Sequence, residues 1–136
     1  MEVKIYYEDT DCGGVVYYAN YLKYFERART DYLQERGLSV AKLQAEGTLF
    51  VVIHAELTYR SPARYGDVLT IQTTVSPTRK TGIIFSHVIC HRDDQRVIVE
   101  GSATLVTTNL QNKIQRLDPN LTQVILASGP PLTSSA

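Results

Sequence analysis

The sequence predicts an α+β domain, an antiparallel sheet with one long helix laid across one face. Three observations carry that reading. One stretch of helical periodicity, Tyr18 to Leu33, precedes four runs rich in β-branched and aromatic residues. The connections between those runs are tight and turn-bearing, which suits antiparallel neighbours rather than crossover units. At 136 residues the chain is sized for one domain and is long enough to bury a core.

The elements follow in order. Val3, Ile5 and Tyr7 alternate with Glu2, Lys4 and Tyr6, which reads as a half-buried first strand. Asp9, Asp11, Gly13 and Gly14 then favour turns. In the helix, Tyr18, Tyr21, Leu22, Phe25, Ala28, Tyr32 and Leu33 share one face, and Gly37 offers a left-handed stop. Ser39 is placed to cap a short second helix ending at Gly47. Strands are expected over 49–60, over 68–77, over 83–91 after Lys80, Thr81 and Gly82, and over 96–108. Asp118 and Pro119 open a short C-terminal helix, and the small, polar tail from Ser128 is expected to be disordered, leaving 1–127 as the domain. The later strands carry apolar residues on both sides, Ile83, Phe85 and Ile89 against Ile84, Val88 and Cys90. One helix covers one face, so a second copy of the chain is expected to cover the other face or an edge.

Composition excludes several classes. Fourteen basic and fourteen acidic residues balance, and no basic stripe stands out, so nucleic acid is not the expected partner. No apolar run is long enough for a signal peptide or a membrane span. Cys12 and Cys90 form no disulfide framework, and a reducing cytoplasm is the expected compartment. His87 and His91 fall on one face of their strand and Cys90 on the other, so they cannot close on one metal ion. His54 reads as a strand histidine. Cys12 has no histidine nearby in sequence to make it a thiolate, and reads as a small loop residue.

The chemistry concentrates between Glu8 and Leu33. A carboxylate, Asp11, sits on a glycine-bearing loop just before a helix N-terminus, where unpaired N–H groups and the positive end of the helix dipole gather. Taken alone, Asp9, Thr10 and Asp11 read first as residues that cap and shape the turn into the helix, since such acidic turns are common, and a reactive Asp11 is the second reading.

The wider pattern resembles a known family. Tyr7-x-Asp9-Thr10-Asp11-x-x-Gly14-x-Val16-Tyr17-x-x-x-Tyr21, followed by Phe25-Glu26-Arg27-Ala28-Arg29, is similar to the signature of the hotdog-fold 4-hydroxybenzoyl-CoA thioesterases. It is closest to their Tol–Pal-associated acyl-CoA thioesterase branch. Tyr59-x-x-Pro62-Ala63-x-x-x-Asp67 fits as well. The resemblance implies a hotdog fold, a five-stranded sheet wrapped around a central helix, in dimers that often pair into tetramers. It implies acyl-CoA thioester hydrolysis without metal or organic cofactor, with an acyl-carrier protein as the other possible acyl donor. By the same resemblance Asp11 is the nucleophile or general base and the Tyr18 backbone N–H polarises the thioester carbonyl. Gly14, Val16 and Tyr17 then border the substrate, and Arg60, Arg64, Arg79 and Lys80 are candidates for the coenzyme A phosphates. Tyr18 departs from the histidine of many branch members, so their substrate preference is not carried over. Two other readings stand beside this one: a hotdog hydratase or dehydratase, which needs a histidine with its acid, and a non-catalytic acyl-CoA-binding regulator.

Overall fold

Turn chemistry and side-chain alternation build one antiparallel sheet, which a computed structural model describes, with its helices, over residues 1–78 and 82–127. The strands are β1 (Glu2–Lys4), β2 (Leu49–Tyr59), β3 (Val68–Pro77), β4 (Gly82–His91), β5 (Val97–Thr108) and a two-residue β6 (Ile114–Gln115). The helices are α1 (Asn20–Glu35), α2 (Val40–Ala45) and α3 (Pro119–Leu126). Strand order is β1-β3-β4-β5-β2, with β6 added to β5, and the pairings are antiparallel. The expected five strands form the body of the sheet; β6 is too short to show a period in sequence. The tail from Ser128, and Arg79, Lys80 and Thr81, lie outside the described residues.

Two local expectations change. The first strand stops at Lys4, because Tyr7 opens a 3-10 turn over Tyr7–Asp9 and leaves its ring 77% exposed. The helix starts at Asn20, so Tyr18 stands in the turn before it. Its buried stripe is Tyr21, Tyr24, Phe25, Ala28, Tyr32 and Leu33. Tyr24 takes the place expected of Leu22, which is exposed. The cause is register: Tyr21, Tyr24, Phe25 and Ala28 follow i, i+3, i+4, i+7, and Leu22 falls off that line.

α1 crosses the inner face of the sheet. Thr73, His87, Gly101 and Leu57 lie side by side there across β3, β4, β5 and β2. The Phe25 ring is seated over this row. A Cβ on Gly101 would come within 2.5 Å of the Glu56 carbonyl and 2.7 Å of Phe25 Cε2, so only glycine admits the ring so close to the backbone. α3, opened by Asp118 accepting from the Asn120 N–H, docks against the far end of α1. The Tyr32 hydroxyl donates to the Ile125 carbonyl at 2.6 Å, and Arg36 stacks on the Tyr32 ring while donating to the Ala127 carbonyl.

The outer face corrects another expectation. Ile84 pairs with Thr104, Ser86 with Ser102, and Val88 with Glu100, so the half-buried aliphatics sit among hydroxyls and an acid. That face is mixed rather than apolar. Exposed aliphatics gather instead on β2, which ends the strand order: Val51, Val52 and Ile53 are 39%, 44% and 58% exposed. A register shift between Val52 and His54 leaves Ile53 out of the ladder.

Candidate active site

Asp11 is held by a small, closed loop. Its N–H donates to the Val15 carbonyl at 2.9 Å, and its own carbonyl accepts from Gly14 at 3.0 Å. Gly14 takes φ 78°, the left-handed conformation that a side chain disfavours, and thereby turns the chain back. One carboxylate oxygen, Oδ1, accepts from the Gly13 N–H at 2.8 Å. The other, Oδ2, has no hydrogen-bond partner among the described residues, and the side chain is exposed.

The returning strand of the loop is clipped to the domain. Val16 bridges to Thr10, is buried, and donates to the Ala63 carbonyl at 2.8 Å. Val15 bridges to Arg64. Asp9 works as scaffold: its Oδ2 accepts from the Tyr6 N–H, and its carbonyl accepts from both the Tyr17 N–H and the Asn20 side chain.

These clips bring the chain to the start of α1. Ala19, at the N-cap, supplies no side-chain cap, and the Tyr18 N–H meets no acceptor among the described residues. An unpaired amide at the positive end of a helix is a site for developing negative charge. The Tyr18 ring is 61% exposed, so it borders the site rather than filling the core. It lies 4.9 Å from the Tyr17 ring and edge-on to Tyr59 at 6.3 Å. The Tyr17 phenol is held above its ordinary pKa, chiefly by the neighbouring Tyr18 hydroxyl and in smaller part by the Asp11 carboxylate. Asp11, Gly14, Val16, Tyr17 and Tyr18 therefore share one loop and one helix end.

The cations divide. Arg64 flanks the loop, and its side chain enters no ion pair among the described residues. Arg60 is engaged by Glu100 at 2.9 Å, and Lys80 and Arg79 lie outside the described residues. Sequence reasoning gave no role to Asn20, Ala63 or Tyr24. Asn20 acts through a side-chain contact that has no local signature, and Ala63, which the Tyr59-to-Asp67 pattern includes, acts through its backbone carbonyl. Tyr24 is buried with its hydroxyl unpaired among the described residues; desolvation raises its pKa, and the charge of Asp9 raises it further.

The histidines lie elsewhere. His54 is exposed beside Glu56, His91 lies between Asp67 and Asp94, and His87 is buried against Phe25. Among the described residues no three histidine, cysteine or acidic side chains converge as a metal site. No helix among them is long and apolar enough to cross a membrane.

A sheet curled over one long helix is the hotdog fold. The chain belongs to the thioesterase-like superfamily, whose family model matches residues 6–126. It is 44% identical over 92 residues to the acyl-CoA thioester hydrolase YbgC of Escherichia coli, covering 68% of this chain and 69% of that one. Among solved structures it is similar to a 1,4-dihydroxy-2-naphthoyl-CoA thioesterase of Synechocystis, with TM-score 0.87 over 94% of both chains; at 22% identity this likeness speaks for the fold alone. It is also similar to the DHNA-CoA thioesterase of Staphylococcus aureus, with TM-score 0.85 and 26% identity over 91% of this chain and 85% of that one.

Proposed function

We propose that this thioester hydrolase cleaves acyl-CoA thioesters at Asp11, with the Tyr18 backbone N–H polarising the carbonyl. The observation that carries the reading is that one hydrogen-bonded loop bears two groups without partners among the described residues: the open Oδ2 of Asp11 and the amide at the start of α1. A carboxylate is ionised near neutral pH and needs no activating base, while a thiolate leaves readily. In one form Oδ2 attacks the thioester carbon, the C–S bond breaks, coenzyme A departs as thiolate, and water then cleaves the acyl–aspartyl anhydride. In the other, Oδ2 takes a proton from water as that water attacks. Both place negative charge on the carbonyl oxygen, where one aligned N–H contributes on the order of 3 kcal/mol.

Gly14 allows close approach and the exposed Tyr17 borders the reacting carbon, whereas Val16, expected at the substrate, is buried in the core with its N–H on Ala63 and serves to position the loop. Arg64, beside the loop and without an ion pair among the described residues, is a candidate for a coenzyme A phosphate. Arg60 serves only by exchanging its Glu100 partner, and Lys80 is a further candidate. Acyl-CoA is the proposed substrate, in line with the acyl-CoA thioester hydrolase activity of its YbgC relative, and acyl-carrier protein is the alternative donor. The reaction as written uses no metal or organic cofactor. The working species is proposed to be a homodimer joined along β2, able to pair into a tetramer, in a reducing cytoplasm that suits two free cysteines. A hydratase would need a histidine in the loop, and all three histidines stand on strands.

Asp11→Asn tests the reading. It keeps the Gly13 acceptor and the shape of the loop but removes the charge. Thiol release from a panel of acyl-CoAs is expected to fall by roughly a thousandfold or more with the fold intact. A variant that keeps most of its activity sinks the assignment.

A further inference from the structure

The turn that carries the Tyr18 amide is held on one side by the loop, through Asp9. On the other side it is held by a residue of a different element. Tyr59, the last residue of β2, donates its hydroxyl to the Tyr18 carbonyl at 3.3 Å. Its ring meets the Tyr18 ring edge-on at 90° and lies 5.9 Å from the Tyr21 ring. The helix itself grips this carbonyl loosely, since the Tyr21 N–H reaches it at 3.4 Å, and no side chain caps the helix. Tyr59 is half-exposed, so its hydroxyl is available to water in the absence of this contact.

We infer that Tyr59 is a positioning residue for the Tyr18 amide, acting from the edge strand through the Tyr18 carbonyl and ring. This rests on the reading of Asp11 and Tyr18 given above. The Tyr18 residue is bounded by two peptide planes: the N–H belongs to the plane before its Cα and the carbonyl to the plane after it. Asp9 holds the chain before Tyr18 through the Tyr17 N–H, while Tyr59 holds the Tyr18 carbonyl and ring; with both sides of its Cα anchored, φ and ψ of Tyr18 are restricted together and the N–H keeps one heading. A donor aimed where charge develops is effective only when its heading is set before the reaction. Tyr59 touches no reacting atom in this scheme. Its effect is on turnover, and acyl-CoA binding is left as it is.

The contrast between Tyr59→Phe and Asp11→Asn tests this. Tyr59→Phe keeps the ring contacts with Tyr18 and Tyr21 and removes only the hydroxyl. The expected result is a kcat lowered roughly three- to tenfold, in keeping with one modest hydrogen bond, with KM and the thermal midpoint unchanged. In the same preparations the Tyr18 amide proton, followed by NMR on addition of a non-hydrolysable acyl-CoA analogue, should shift less in Tyr59→Phe than in the parent. A wild-type kcat in Tyr59→Phe beside an inactive Asp11→Asn overturns the role of Tyr59 alone. So does a kcat loss matched by a fall in thermal stability or by a rise in KM, since either marks a structural or binding role. A fully active Asp11→Asn removes the reading of the site, and this inference with it.

Discussion

The Phe25 ring lies almost flat against the imidazole of His87, with 4.5 Å between centroids and 27° between planes. The contact joins the middle of α1 to the centre of β4, and it holds a titratable group in the core. His87 Nδ1 is 3.0 Å from the Thr73 hydroxyl, and Nε2 is buried without a partner among the described residues. Burial lowers the His87 pKa to about 4, and the nearby Arg29 charge adds to the shift.

The pH dependence of stability follows from this. Between the folded value of about 4 and the ordinary 6.5, the unfolded chain binds a proton that the folded chain does not. Stability from this group is therefore complete above about pH 6.5 and is lost as pH falls toward 4, by roughly 3 kcal/mol in all. Denaturant unfolding between pH 7 and 4.5 should show the fall in the parent, and His87→Leu should flatten it whatever its stability at pH 8. An equally steep fall in His87→Leu would assign the effect to carboxylates elsewhere.

Gly101→Ala should destabilise the fold through the Phe25 seat. The added methyl meets the Glu56 carbonyl and the Phe25 ring well inside contact distance, and both are held by the sheet and helix. A loss of about 1–3 kcal/mol is expected, the usual cost of overpacking. Unchanged unfolding would mean that β2 yields there more easily than its ladder with β5 implies.

Cys12→Ala should keep activity within about twofold, since the thiol is exposed and no histidine stands in the loop to activate it. A collapse in rate with normal folding would move the chemistry from the carboxylate to the thiol.

Assembly is expected to run through β2. Ile53→Lys sets a charge in the middle of the exposed aliphatic run on that edge, a substitution that discourages strand pairing. Light scattering across a dilution series, with thiol release measured in parallel, should show the parent as a dimer or larger and the variant shifted toward monomer with lower activity. A fully active monomer would refute the link between association and turnover.

Local patterns in the sequence determined most of the secondary structure. β3 runs 68–77 as expected and β4 runs 82–91, one residue longer than the expected 83–91, because strand period, proline and glycine act over a few residues. Ser39 and Asp118 cap their helices for the same reason. The acidic loop, too, was legible, since Asp11, Gly14 and the helix start lie within ten residues of one another. Tertiary structure decided what depends on neighbours distant in the chain. Whether Tyr24 or Leu22 faces the core is a matter of where α1 begins and how it is rotated over the sheet. His87 is neutral because Phe25 and the strands exclude water from it, which no window around residue 87 reveals. Tyr59 reaches the Tyr18 carbonyl across 41 residues of sequence because β2 ends beside the start of α1. A hydrogen bond of that span leaves no periodicity to read; it exists only once the sheet has closed around the helix.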